Sequence, residues 1–263
     1  MLKGKEAACV FFIAMASYIS LYPIILVVPA AIMFYQQNME KIHSYVDQAA
    51  IASYTRTSVI CCGCCFALLG VSYFLEGSFN FLFSTYGFIL SVPDLTPNLG
   101  VFWYFFTEMF EHFRTFFICV FQINVVIYTV PLSVKLKEHP VFFFYMLVFL
   151  IGIFKSYPSF ADVGLIFSLM PLWKYVFQYL RNTFVVGCMF ISTTVFAPVL
   201  YYLWIYAGSA NANFYFAIAL AFSTAEIFLV TDLMFAFIRR EFDLKHGTQH
   251  KLPDGSEGQV ILD

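Results

Sequence analysis

Long apolar runs separated by short polar segments occupy most of the chain. A helix needs about 20 apolar residues to cross a bilayer. Runs that approach or exceed this length lie near 8–35, 54–75, 101–133, 140–155, 159–173, 182–206 and 213–238. A shorter run, 79–92, is compatible with a tilted span, a re-entrant segment or an interfacial helix. The pattern predicts an all-α bundle of transmembrane helices over 1–238 and a polar tail over 239–263.

Basic residues beside the apolar runs predict the orientation of the bundle. Lys and Arg collect at cytosolic span ends, and three of them follow the last run within 239–245. We therefore expect a cytosolic C-terminus and lumenal loops at 93–100 and 207–213. Two N-terminal lysines predict a cytosolic N-terminus, which requires 79–92 to cross and gives about eight spans. The 36–53 loop carries both signs of charge and decides little.

Composition agrees with this pattern and excludes other classes. The chain is 61% hydrophobic and only 11% charged, whereas soluble domains carry about 25% charged residues. Mean hydropathy is +0.80. The net charge of −2 provides no basic field for nucleic acid, so we expect no nucleic-acid partner.

The run CCGCC at 61–65 contains four of the seven cysteines. It has the wrong spacing for a zinc ribbon and no His or carboxylate nearby. We favour a patch of small residues that lets helices approach closely, with palmitoylation as a second interpretation. The odd cysteine count and the apolar setting argue against a disulfide framework.

The segment SVPDLTPNLG at 91–100 reads as a stiff turn, because its prolines fix φ and Asp and Asn bond to nearby backbone. One interpretation is a loop that caps the next helix, with Thr96 or Asn98 as N-cap. The other is a rigid polar lip that presents Asp94 and Asn98 to a lipid headgroup.

Glu108, Glu111 and His112 are spaced i, i+3 and i+4 and would share one face of a continuous helix. Such a set can bind a divalent metal or move a proton. It can equally form a polar seam between helices. We favour the seam, because no fourth ligand is evident, and we predict no metal.

The segment AGSANAN at 207–213 carries two amides, Asn211 and Asn213. Amides donate and accept without charge, which suits sugar hydroxyls and phosphate oxygens. From spacing alone an ordinary turn is the favoured interpretation. Neither residue lies in an N-glycosylation sequon. Aromatic residues beside both this loop and the 93–100 turn predict that the two lie at the same membrane surface.

Acidic residues also occur inside or beside the runs. Glu226 and Asp232 lie within the last run and should face protein or water rather than lipid. Lys155 and Asp162 flank a turn and are candidates for an ion pair. No nucleophile–base set, P-loop or HExxH motif is present in the sequence, so no residue is assigned a catalytic role and no cofactor is expected.

Several long motifs resemble the PIG-U family, namely YGFILSVPDLTPNLGVFWYFFTEMFEHF, FFICVFQINVVIYTVPLSVKLKEHPVFF, IFKSYPSFADVGL, LWIYAGSANANF and FIRREFDLKHG. They occur in the family's order, and SLYPIILVVP near 20–29 also matches. The family's architecture is similar to the membrane region of the mannosyltransferases that build glycosylphosphatidylinositol (GPI). Its members have a further N-terminal part, so we expect this chain to be a fragment, a truncated gene model or a short isoform.

The resemblance implies a non-catalytic subunit of the GPI transamidase in the endoplasmic reticulum membrane. Catalysis would belong to a cysteine-protease-like partner, and the other subunits would be PIG-K, PIG-T, PIG-S and a GPAA-type protein. The chain would help recognise the GPI glycolipid or the hydrophobic C-terminal signal of the proprotein. By resemblance, Asn211 and Asn213 would contact the lipid anchor. Asp94 and Asn98 would border the same site.

Two other functions remain as alternatives. A lumenal-leaflet glycosyltransferase would need Asp94 or Glu108 as base. A transporter would use Glu226 and Asp232 as intramembrane carriers and would show inverted repeats, which the sequence does not reveal.

Overall fold

The computed structural model describes residues 5–39 and 46–247, and the side chains of all of these except 39 and 46–50. Within these ranges the backbone forms helices joined by turns and contains no strand, which confirms the all-α class. The first helices are α1 (Glu6–Ser20), α2 (Val27–Met39), α3 (Val46–Glu76), α4 (Asn80–Leu82), α5 (Phe88–Ser91) and α6 (Phe102–Glu108). The others are α7 (Arg114–Ile127), α8 (Thr129–Lys135), α9 (Pro140–Phe154), α10 (Phe160–Leu169), α11 (Thr183–Ile205) and α12 (Ala212–His246).

Five helical stretches within the described ranges are long and apolar enough to cross a membrane. They are Ile51–Glu76, Glu111–Lys135, Phe160–Tyr179, Thr183–Ile205 and Ala212–His246. Two shorter apolar helices, Glu6–Ser20 and Pro140–Phe154, accompany them. The structure therefore has the architecture of a polytopic membrane bundle, and the count of about eight spans stays a prediction.

The apolar run 8–35 predicts one continuous helix, but the structure divides this run. Leu21 has a left-handed backbone (φ 61°) and separates α1 from a 3-10 segment, Tyr22–Leu26, that leads into α2. Pro23 lies at the start of that segment. Its ring removes a backbone donor and disfavours a helix that continues through it.

The predicted helix over 101–133 is also broken. Helix α6 ends at Glu108, Met109 and Phe110 are extended, and a 3-10 turn, Glu111–Phe113, precedes α7. The helix of the last run is longer than predicted, because α12 continues to His246, eight residues beyond the predicted boundary at 238. Residues 248–263 of the predicted tail lie outside the described ranges.

The short run 79–92 forms a helical stretch with a π-turn, Phe83–Gly87, in its middle. It ends at Val92, whose backbone is left-handed (φ 50°). The amide of Gln122 donates to the carbonyls of Ile89 (3.0 Å) and Leu90 (3.2 Å), and Arg114 donates to that of Val92 (2.7 Å). Unbonded carbonyls are costly in an apolar setting, so these donors stabilise the helix end.

Helix α9 forms the centre of the bundle. It packs against α2, α7, α10 and α12, and none of its side chains is exposed. Phe142 stacks on Phe237 of α12 with 3.8 Å between ring centroids. A helix that is apolar on every side is typical of a core position. In contrast, α3 and α11 bury little of their surface within the described chain.

The CCGCC run lies in α3, and its cysteines are free thiols. Cys61 is buried, and the Cys65 sulfur lies 4.0 Å from the Ala14 carbonyl of α1. A side chain on Gly63 would meet nothing within 4 Å. The small residues therefore favour close packing at the cysteines, but not at the glycine.

Candidate functional site

The 93–100 turn is held by its own side chains. The Asp94 carboxylate accepts hydrogen bonds from the N–H (2.9 Å) and hydroxyl (2.5 Å) of Thr96. Both bonds lower the pKa of Asp94, and the bond from the hydroxyl has the larger effect. Asn98 Oδ1 accepts from the Gly100 N–H at 2.8 Å. The residue at the N-cap of α6 is Val101, so the interpretation of Thr96 or Asn98 as that cap was wrong.

Contacts with the α9–α10 connection fix the position of this turn. A Cβ atom on Gly100 would lie 2.7 Å from Cγ and 2.8 Å from Cδ of Pro158, so only glycine allows this close approach. The Tyr157 hydroxyl donates to the Asp94 carbonyl at 3.2 Å. The Trp103 indole donates to the Asn98 carbonyl at 3.1 Å. The turn is therefore a preformed surface.

The 207–213 loop ends at the cap of α12. Asn211 is the N-cap residue, and its Oδ1 accepts from the Asn213 N–H at 3.1 Å. The Tyr104 hydroxyl donates to Oδ1 of Asn213. Both asparagines are exposed, and their side-chain nitrogens make no hydrogen bond within the part of the chain that the structure describes.

The two polar segments lie at the same end of the bundle, which we call the turn end. The Tyr104–Asn213 bond joins α6 to α12 there. Aromatic rings continue the contact, because Trp103 stacks on Trp204 at 6.0 Å and Tyr104 stacks on Phe216 at 4.3 Å. The two segments therefore lie together, while their position at a membrane surface and the side of that surface stay predictions.

A cavity of about 720 Å³ opens between the turn, the start of α10, α11 and α12. Its walls are formed by Pro97, Asn98, Leu99, Pro158, Ser159, Phe160, Thr193, Thr194, Ala197, Pro198, Tyr201, Tyr202, Tyr206, Tyr215, Ile218, Ala219 and Phe222. Of the four polar residues that we predicted at this site, only Asn98 lines the cavity. Asp94, Asn211 and Asn213 lie outside its walls, although Asn213 is two residues before Tyr215.

Charged groups lie deeper in the bundle. Lys155 pairs with Asp162 at 2.6 Å, as predicted, and Asp162 also accepts from the Ser159 N–H at 2.8 Å and caps α10. Glu226 is only 5% exposed, and among the described residues none gives it a hydrogen bond or an ion pair. Its position facing protein confirms the prediction that it avoids lipid.

Asp232 is also 5% exposed and has a structural role. Its carboxylate accepts from the N–H groups of Arg181 (3.0 Å) and Asn182 (2.9 Å), just before α11. It thus stabilises the turn that enters this helix, as a side-chain acceptor does at helix starts.

Glu108, Glu111 and His112 do not share a helical face, because α6 ends at Glu108 and the next two residues are extended. All three side chains are exposed. Within the described ranges no hydrogen bond or ion pair joins them to another helix, so the predicted seam is not formed here. The described residues contain no group of three His, Cys, Asp or Glu side chains that could hold a metal.

Sequence reasoning missed most of the cavity wall. Pro158, Thr193 and Tyr201 come from three separate segments, and only helix packing brings them together. The available signal was the density of aromatic residues just before the 207–213 loop, which include the tyrosines at 201, 202 and 206. The resulting apolar walls and neutral polar rim suit an amphiphile, with chains in the cavity and a polar head at the rim.

The fold and this cavity define a polytopic helical membrane protein with a site suited to an amphipathic ligand. The family model described as GPI transamidase subunit PIG-U matches residues 1–222, and the chain belongs to that family.

Curated relatives agree with the family match. The human GPI-anchor transamidase component PIGU is 46% identical over 261 residues, which are 99% of this chain and 60% of the relative. The Saccharomyces cerevisiae GPI transamidase component GAB1 is 33% identical over 243 residues, 92% of this chain and 58% of that protein. The chain therefore spans about 60% of the length of the human relative.

Proposed function

We propose that this chain is a non-catalytic subunit of a GPI transamidase complex and that its turn-end cavity binds the GPI glycolipid. The observation that carries the proposal is the cavity itself. Its volume of about 720 Å³ falls in the range of ligand sites. Its aromatic and aliphatic walls suit acyl chains, and family membership supplies the ligand class.

In this proposal Asn211 and Asn213 hydrogen-bond the polar head of the glycolipid through their amide nitrogens. Both amides are exposed beside the cavity, and the Tyr104 hydroxyl orients Asn213. Asn98 and Asp94 form the opposite lip, which the Gly100–Pro158 contact holds in place. Neutral donors suit a ligand that carries both sugar hydroxyls and phosphates.

The setting of this function is part of the proposal. We infer assembly in the endoplasmic reticulum membrane with the PIG-K, PIG-T, PIG-S and GPAA-type subunits and a cytosolic C-terminus. Cleavage of the proprotein signal would occur in the cysteine-protease-like partner. Family membership and the apolar helices support this setting.

The test combines Asn211→Ser with Asn213→Ala. Serine retains the helix cap, so the variant removes the amides with little effect on α12. We expect wild-type amounts of co-purifying subunits, and about tenfold less GPI lipid retained by the purified complex, because two hydrogen bonds are lost. Lipid is measured by mass spectrometry and attachment by a GPI-anchored reporter.

Gln178→Ala is the matched control, because it removes an exposed amide far from the cavity. It should leave lipid retention unchanged. Undiminished retention in the double variant would refute the contact, and failure of the wild-type chain to co-purify with transamidase subunits would refute the assignment to that complex.

A further inference from the structure

A second cavity lies at the other end of the bundle, which we call the basic end. It has a volume of about 470 Å³ and is enclosed by α2, α9, α12 and the 3-10 segment Met170–Tyr179. It shares no lining residue with the turn-end cavity. We call it the basic cleft.

Aromatic rings form the inner wall of the basic cleft. Phe142, Trp173 and Phe237 pack together there, with 4.9 Å between the Phe142 and Trp173 centroids. Trp173 is 7% exposed, and its indole N–H has no acceptor among the described residues. A buried donor without an acceptor is destabilising. This wall therefore has an unsatisfied hydrogen-bond donor.

Arg240 supplies the positive charge in the cleft, which two carboxylates, Glu138 and Glu241, also line. Its guanidinium lies 4.2 Å above the Tyr175 ring and bonds Glu241 at 2.8 Å through Nη1. An arginine has five N–H donors, and the others of Arg240 make no hydrogen bond among the described residues. The Tyr175 ring and the Glu241 carboxylate thus hold the Arg240 guanidinium in place, and several of its N–H donors remain unused.

The carboxylates of the cleft already have cationic or imidazole partners. Glu241 also lies 3.3 Å from His139 Nε2, and Glu138 lies 3.3 Å from Lys245. Gln37 lines the same cleft, and its amide makes no hydrogen bond within the described chain. Unused hydrogen-bond donors therefore remain on Arg240 and Gln37.

The surroundings carry a net positive charge. The segments 135–139, 174–181 and 232–245 contain seven Lys or Arg and four Asp or Glu. Basic clefts between transmembrane helices at a membrane face bind anionic lipid headgroups. Because Arg240 covers the face of Tyr175, the cleft is not arranged to receive a quaternary ammonium group on that ring.

We propose that the basic cleft binds the phosphate of an anionic phospholipid headgroup, with Arg240 as the principal donor. The phosphate oxygens accept from the guanidinium and from Gln37, and the glycerol end of the lipid packs against the aromatic wall. Binding there ties α12 to α2 and α9. The site is independent of the glycolipid site at the turn end.

The test uses the full chain in phosphatidylcholine nanodiscs with and without phosphatidylinositol. We expect phosphatidylinositol to be enriched around the wild-type protein by native mass spectrometry and to raise its unfolding temperature. Arg240→Gln should lower this enrichment about tenfold, because a charge-assisted pair is lost. Arg240→Lys should retain part of it, since the charge remains without the planar fork.

Arg239→Gln is the matched control, because it removes the same charge one residue away, where Arg239 pairs with Asp243 outside the cleft. Equal loss of enrichment in both variants would overturn the site and leave a general surface attraction. Equal retention of phosphatidylcholine and phosphatidylinositol by the wild type would also overturn it.

Two soluble probes distinguish a lipid headgroup from a free phosphate. Inorganic phosphate and inositol phosphate should not raise the unfolding temperature at concentrations where phosphatidylinositol does. Stabilisation by either one, abolished by Arg240→Gln, would show a site for a soluble phosphorylated ligand and would refute the lipid. Monodisperse elution and unchanged circular dichroism of each variant exclude misfolding as the cause of a loss.

Discussion

The two ends of the bundle hold their polar groups in different ways. At the basic end, His139, Arg240 and Lys245 each lie within ion-pair distance of a carboxylate. At the turn end the polar side chains that line the cavity are amides and hydroxyls, while the Asp94 carboxylate and the Lys155–Asp162 ion pair lie outside its walls. One end presents charge and the other presents neutral hydrogen-bonding groups beside an apolar cavity.

With the two proposed ligands, this difference amounts to a division of roles. Charge at a membrane face favours anchoring and orientation through anionic lipids. Neutral amides and hydroxyls can bind both sugars and phosphates, with selectivity set by geometry. The turn end is accordingly built on a rigid frame, in which Gly100 contacts Pro158 and Tyr104 contacts Asn213. If the roles are divided in this way, losses of stability and losses of ligand binding should separate between the two ends.

The largest effect is expected for Asp232→Ala near the basic end. Loss of this buried carboxylate removes the acceptor of the Arg181 and Asn182 N–H groups, at a cost of about 3 kcal/mol. We expect a clearly lower unfolding temperature in detergent, with glycolipid affinity of the remaining folded protein unchanged. Asp232→Asn, which retains one acceptor oxygen, should be milder. If Asp232→Ala reduced glycolipid affinity without reducing stability, that result would contradict the separation of roles.

Gly100→Ala should disturb the turn end by about 2 kcal/mol, because its Cβ overlaps the rigid Pro158 ring. Thermal unfolding measures the loss, and glycolipid retention should fall with it. Gly164→Ala is the matched control, since a Cβ there meets nothing within 4 Å and Gly164 lies in helix α10. Alanine stabilises a helix relative to glycine, so the control should be neutral or slightly more stable.

Tyr104→Phe should have a smaller effect and act on binding alone. It removes the hydrogen bond to Asn213 and keeps the stacking on Phe216. Losing one orienting hydrogen bond should reduce glycolipid retention about threefold, measured by mass spectrometry of bound lipid. Tyr73→Phe serves for comparison, because the Tyr73 hydroxyl makes no hydrogen bond among the described residues and the side chain is exposed outside the cavity walls. Equal losses in both variants would argue against orientation through Asn213.

The smallest effect is expected from acid at the 93–100 turn. Hydrogen bonds from Thr96 lower the pKa of Asp94 from its ordinary value of 3.8. The stabilisation is therefore present above pH 3.8 and is lost as the pH falls through the lowered pKa. Hydrogen-exchange protection factors in 93–100 should fall over that interval, while Asp94→Asn should show no such step. A fall in protection already at pH 6 would contradict this assignment.

The helical class and the pairing of the two polar loops could be read from the sequence. Apolar runs of membrane length predict helices, and aromatic residues beside 93–100 and 207–213 predict their common surface. Helix breaks could not be read in this way. Leu21 and Val92 adopt left-handed backbones without being glycine, and the bonds that stabilise the Val92 end come from Gln122 and Arg114, more than 20 residues away.

The sequence indicated polar candidates at the turn end and missed the interior of the cavity. Asn98 stands out as a polar residue in an apolar chain, whereas Asn211 and Asn213 became candidates through the family resemblance, because their spacing alone favoured an ordinary turn. The cavity walls consist mainly of apolar and aromatic residues, which are common throughout membrane helices. Only the packing of the helices brings these particular residues together. Glu108 and Glu111 were misread, because spacing implies a common face only where the helix is continuous.

The most direct measurement of the central claim is photocrosslinking with a GPI glycolipid that carries a photoreactive group near its polar head. After illumination of the purified complex, peptides bearing the label are identified by mass spectrometry. The account predicts labelling of this chain within 97–100, 193–206 and 211–222, which surround the turn-end cavity, and loss of that labelling in the Asn211→Ser, Asn213→Ala variant. Labelling of the basic cleft instead, or turn-end labelling unaffected by the variant, would contradict it.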